Sequence, residues 1–278
     1  MPRPPTTPRR WPAALLLAVA GSAAAHDTWF APLPGDGPGS TLLALGTGAQ
    51  FPRQETALDR GLLQASACQQ PGGPATPLHW VAYREDATVL RASRPGGPGK
   101  RMQCWLQAKP LAVTLDDAVA ALYLDEIRAA PALRTRWAGL RARGVRWQEQ
   151  YTKHARIVLP GDAGSGDAGA DAPPDGAAVP GLDLQPALPT TPLRAGDLLR
   201  VQLLRDGQPL AGLPVVLRND LSPLPLWHRS DAQGWVTLAL PLAARWLLSA
   251  VDLRPSTAQA DAWDSRFASL TFDTGPRR

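Results

Sequence analysis

A mainly β fold follows from three observations on the 278-residue chain. Short apolar runs broken by turn residues recur along most of its length. The 30 Pro and 25 Gly are too many, and the 19% of charged residues too few, for a helical bundle or a coiled coil. The last 85 or so residues carry strand-like runs separated by turn signals, the pattern of a small antiparallel sandwich. The length suits one large or two modest domains.

Residues 1–25 come first and differ from the rest. Arg3, Arg9 and Arg10 form a basic region, Trp11 to Ala20 an apolar run, and Gly21-Ser22-Ala23-Ala24-Ala25 a small-residue cleavage pattern. The apolar run is roughly half of the ~20 residues that a membrane-spanning helix needs. A signal peptide cleaved after Ala25 is expected, with export to the periplasm by the general secretory route and no stable membrane insertion afterwards. The formal charge of +5 owes three units to this leader. The mature chain, with 26 basic against 24 acidic residues, makes no case for nucleic acid as a partner.

From His26 to Ala112 the runs Thr41 to Leu45, Leu78 to Tyr83, Thr88 to Leu90 and Met102 to Leu106 are bounded by turn residues and predict strands of a β-rich domain over 26–112. A helical segment over 113–160 follows. Thr114 and Asp117 make a capping-box-like start, with Leu115, Val119, Leu122 and Ile127 at helical spacing. Pro131 opens a second helix, carrying Leu133, Trp137 and Leu140, that Gly144 ends. A third is expected from Val145 to Leu159, with Trp147, Tyr151, His154 and Val158 on one stripe and Glu149 four residues before Lys153. Residues 161–181 hold Gly, Ala, Asp and Pro with almost nothing to bury, which predicts a flexible linker. Over 182–273 the runs Leu198 to Leu204, Pro214 to Arg218, Trp235 to Leu240, Arg245 to Val251 and Arg266 to Phe272 predict an immunoglobulin-like or transthyretin-like sandwich. Asp206-Gly207 would join the first two as a hairpin, and Asp231 to Gly234 forms another turn.

Cys68 and Cys104 are the only cysteines, and in an exported chain a disulfide between them is expected. Metal-binding cysteines usually arrive in closely spaced pairs, which these are not.

Cleavage after Ala25 would leave His26-Asp27-Thr28-Trp29 at the amino terminus. There the α-amine and Nδ1 of His26 can close a six-membered chelate ring on one metal ion, and Asp27 adds a carboxylate. Amine and imidazole nitrogens favour nickel, cobalt or copper over magnesium or calcium. The remaining histidines, His79, His154 and His228, sit near aromatic residues, where packing is the commoner role. The basic run Arg128, Arg134, Arg136, Arg141, Arg143, Arg146, Lys153 and Arg156 is expected to be mainly a solvated face. No Walker loop, dinucleotide fingerprint, Gly-x-Ser-x-Gly elbow or His-Glu-x-x-His motif occurs. The expectation is therefore a non-enzymatic protein without an organic cofactor.

Several motifs coincide in order with a known family. They are His26-Asp27-x-Trp29, Gly46-x-Gly48 followed by Phe51-Pro52, Trp147-x-Glu149-x-Tyr151-x-Lys153-x-Ala155, Arg205-Asp206-Gly207-x-Pro209-Leu210-Ala211-Gly212, Asp231-x-x-Gly234, and Ala262-Trp263-x-Ser265-x-x-Ala268-Ser269-Leu270-Thr271-Phe272. Together they resemble the exported, NikM-like "domain of unknown function" family linked to nickel uptake, over nearly all of residues 26–272. The resemblance implies a periplasmic metal-binding accessory to nickel or cobalt import, with an inner-membrane metal transporter as partner. Thr47 and Asp252 stand where many members carry histidine.

The leading expectation is thus a divalent-metal binding protein with His26 as ligand and Asp27 as helper. An alternative is a cell-envelope or carbohydrate-binding module that stacks sugars on Trp29, Trp227 or Trp263. A third, a copper oxygenase with an amino-terminal histidine brace, would need a second histidine beside His26.

Overall fold

The computed structural model describes residues 26–34, 37, 39–95, 97, 99–161, 179–189 and 191–277. The expected leader over 1–25 and most of the expected linker lie outside them. Seventeen strands and two helices are found among the described residues. They run in the order β1 (Asp27–Leu33), β2 (Ser40–Gly48), β3 (Thr56–Ala57), β4 (Leu63–Gln69), β5 (His79–Tyr83), β6 (Thr88–Ser93), β7 (Met102–Ala108), β8 (Leu111–Leu115), α1 (Asp117–Glu126), α2 (Pro131–Ala142) and β9 (Trp147–Leu159). Then follow β10 (Leu182–Ala187), β11 (Leu198–Arg205), β12 (Gln208–Pro209), β13 (Pro214–Asn219), β14 (Leu226–Arg229), β15 (Trp235–Ala239), β16 (Arg245–Pro255) and β17 (Trp263–Asp273). The fold is mainly β and sandwich-like, as its punctuated apolar runs predict. No described helix is long and apolar enough to cross a membrane.

An eight-stranded sheet forms the middle layer, in the order β14-β13-β16-β17-β9-β7-β4 with β8 on the first half of β9. It draws strands from both sides of residues 162–178, and its centre is the parallel pair β9 and β17. Side chains alternate across a strand, so each face of this sheet meets a different layer. Val215, Leu217, Trp246, Leu248, Ala268 and Leu270 pack on one face against Leu184, Leu199, Val201, Leu203, Val236 and Leu238 of the sheet formed by β10, β11, β12 and β15. On the opposite face Met102, Cys104, Leu106, Ala155 and Ile157 pack against Phe30, Leu43, Leu45 and Leu90 of the sheet β1-β2-β6-β5. Farther along that face α1 and α2 close over Trp147, Trp263 and Phe267 through Tyr123, Leu124, Trp137 and Leu140.

Three sequence expectations are corrected. Residues 147–159 are a strand, not a helix. Trp147, Glu149, Tyr151, Lys153, Ala155 and Ile157 share one face at period two, and the same text places Trp147, Tyr151 and Val158 at helical spacing. The second half of β9 is covered on both faces, so no polar alternation betrays the strand. Helix α1 is capped by Asp116, whose carboxylate accepts from the Val119 N–H, rather than by Thr114, which belongs to β8. Leu122 is therefore exposed, and Ala120, Tyr123 and Leu124 are buried. The Asp206-Gly207 turn, with both residues at positive φ, returns the chain only into the two-residue β12. Pro214 to Arg218 enters the middle sheet instead, between β14 and β16.

Cys68 and Cys104 form the expected disulfide, directly opposite each other on β4 and β7. On the other face of β9, Arg156 binds Asp183 of β10 in bidentate fashion, Nε donating to Oδ1 at 3.2 Å and Nη2 to Oδ2 at 2.7 Å, with both side chains buried. His154 lies beside this pair, its Nδ1 3.4 Å from Asp183 Oδ1.

Candidate ligand cavity around His26

Strand β1 brings the first residues of the expected mature chain onto the middle sheet. Its partner β2 can approach the 53–54 segment because Gly46 and Gly48 lack side chains. A Cβ on Gly48 would lie 2.3 Å from the Arg53 carbonyl oxygen and 2.9 Å from Trp29, and one on Gly46 would lie 2.5 Å from the Asp86 carbonyl oxygen. Polar side chains of the middle sheet then fix β1. Ser269 Oγ donates to the Thr28 carbonyl, Thr271 Oγ1 to that of Phe30, and Lys153 Nζ to that of His26 at 2.9 Å.

His26 and Asp27 open onto a cavity of about 270 Å³, with Glu126 from the end of α1, Arg218 from β13, Trp227 from β14 and Ser249 from β16 on its wall. Ile127, Val216 and Val251 supply apolar surface. The strand period explains the gathering: Val216 and Arg218 alternate with the core residues Val215 and Leu217, and Ser249 and Val251 with Leu248 and Ala250.

Asp27 is the electrostatic hub. Its Oδ2 accepts from Arg218 Nη1 and from Ser249 Oγ, both at 3.0 Å, while Oδ1 accepts no hydrogen bond among the described residues. Burial raises the Asp27 carboxyl above its usual range, against the pull of Arg218, Ser249 and Lys153. Burial lowers the Lys153 ammonium from 10.5 to about 8, and Asp27 opposes the shift. Glu126 is raised by its partial burial, with His26 and Arg218 acting in the opposite direction. Arg128, held at φ 49°, places its guanidinium 4.2 Å over the Trp227 ring.

The other residues singled out from sequence lie elsewhere. His79 is on the outer strand β5, His228 on β14, and His154 is buried on the opposite face of β9. No second histidine lines the cavity. Among the described residues no group of three or more His, Cys, Asp or Glu side chains is placed to hold a metal ion by itself. Thr47 pairs through its hydroxyl with Thr28, and Asp252 is bound by Arg205 and Arg254. Trp29 and Trp263 are buried and offer no stacking platform. Three cavity residues escaped sequence reasoning: Glu126, Arg218 and Ser249. The trace they left is charge or hydroxyl inside apolar text, as in Val215-Val216-Leu217-Arg218 and Leu247-Leu248-Ser249-Ala250.

Residues 23–252 match the model of a protein family described as a domain of unknown function, DUF4198. The chain belongs to the DUF4198 family. The match takes in His26, both glycines of the β2 motif and the cavity residues named above, and ends within β16. No curated protein matches the chain.

Proposed function

We propose that this DUF4198 protein is an exported, non-enzymatic binding protein that carries a divalent transition metal, nickel or cobalt, for uptake through an inner-membrane transporter. The observation that carries the reading is the position of His26: the residue that cleavage after Ala25 would make amino-terminal lines a cavity bearing two carboxylates. A free α-amine there adds to the imidazole the second nitrogen donor that the side chains alone lack. Asp27 presents Oδ1 while Arg218 and Ser249 hold Oδ2, and Glu126 faces the same space. The Lys153 bond to the His26 carbonyl fixes the backbone from which the chelate would form.

Calorimetric titration with Ni(II), Co(II) and Cu(II) tests this on protein beginning with His26, beside protein carrying one additional amino-terminal residue. The expected result is binding that the additional residue weakens at least tenfold, and that falls with acid as amine and imidazole take up protons. Equal binding by both proteins, or binding by neither, would refute the amino-terminal site.

A further inference from the structure

The cavity is larger, and differently charged, than a bare ion requires. His26 and one carboxylate oxygen supply about three donors. An octahedral ion so held keeps about three waters, which at roughly 10–15 Å³ of cavity each take up about 45 Å³. That is about a sixth of the 270 Å³ present.

The remaining wall is mixed in charge, Glu126 favouring a cation and Arg218 opposing it. Arg218 lines the cavity and repels a naked dication, and Lys153 lies close enough to act on Asp27. Only Nη1 of Arg218 is engaged, with Asp27 and Ser249. The rest of its fork has no partner among the described residues, and a guanidinium fork suits a carboxylate. Val216 and Val251 offer apolar surface, and Trp227, braced by Arg128 on its ring, offers a flat one. These surfaces match a carbon skeleton.

We infer that the cavity takes the metal together with a small carboxylate-bearing chelator, which Arg218 binds through its free N–H groups and Trp227 packs against. The inference rests on the metal-binding reading above and specifies its substrate class. The chelator's carboxylate offsets the repulsion between Arg218 and the ion, and its remaining donors complete the coordination that His26 begins.

The test uses protein beginning with His26, titrated with Ni(II) alone, with citrate, oxalate or L-histidine alone, and with each chelator premixed with Ni(II). It is run on the wild type, Arg218→Lys and Trp227→Ala. Arg218→Lys keeps a cation beside Asp27, and circular dichroism checks that both variants fold. A chelator that only competes for the ion lowers the apparent Ni(II) affinity. In a joint complex at least one raises it tenfold or more, and both variants lose most of that gain.

Competition by every chelator, a gain that survives in both variants, or chelator binding that is indifferent to the metal would overturn the inference. Ni(II) bound alone in a His26-dependent way sustains the metal reading whatever the chelators do. Absence of binding in every arm overturns both.

Discussion

His154 makes the stability of this protein sensitive to acid. Its ring is buried against Trp105, beside Asp183 and Arg156, and neither ring nitrogen completes a hydrogen bond among the described residues. Burial, reinforced by Arg156 and opposed by Asp183, lowers its ionisation from 6.5 to about 4. In that window the unfolded chain binds a proton that the folded chain does not, so stability is full above pH 6.5 and declines as pH falls toward 4. The loss attributable to this ring is on the order of 1 kcal/mol at pH 5.5 and about 3 kcal/mol by pH 4.5, where it begins to level off. Other groups titrate in the same range, and comparison with His154→Leu isolates the contribution. That variant keeps Asp183 bonded to Arg156 and Gln185. Urea unfolding followed by tryptophan fluorescence at pH 7.5, 5.5 and 4.5 is expected to show the wild type losing stability relative to the variant by these amounts. Parallel pH profiles for the two proteins would refute the assignment.

Further outcomes follow from other parts of the fold. Arg156→Leu strands the buried Asp183 carboxylate and should cost about 3–5 kcal/mol by urea unfolding at pH 7.5. Removing the disulfide with Cys68→Ala and Cys104→Ala frees a loop of 36-residue separation and should cost about 4 kcal/mol on the loop-closure model, read as a lower thermal midpoint. Gly48→Ala, which drives a Cβ into the Arg53 carbonyl, should cost about 2 kcal/mol. Gly139→Ala, on the exposed side of α2 with open space around it, should gain about 0.5–1 kcal/mol by the same assay.

The β-rich class, the second helix and the disulfide were legible because each rests on local signals. Pro131 and Gly144 bracket α2, and two cysteines leave one pairing. What escaped depends on layers. A strand covered on both faces has no alternation to detect, so β9 carried a helical reading through Trp147, Tyr151 and Val158. The sheet to which β13 belongs was equally hidden, because an apolar pentapeptide pairs as well with β11 as with β16 until burial on both faces decides. For the candidate site, His26 and Asp27 stood out by their place after the expected leader. Arg218, Ser249 and Glu126 come from three distant elements, and only the registers of β13 and β16 and the end of α1 bring them together.

The parallel pairing of β9 with β17 bears on the order in which the chain can fold. Residues 263–273 fill the slot between β9 and β16, and through Ser269 and Thr271 they also anchor β1. Until they are synthesised, two half-sheets with open edges wait for their shared strand, and the segment carrying His26 has no completed surface on which to rest. The last strand is therefore the seam of the molecule: the surface on which β1 rests is assembled only when nearly the whole chain has arrived. A chain ending before Trp263 should thus expose strand edges and aggregate rather than persist as a smaller folded protein.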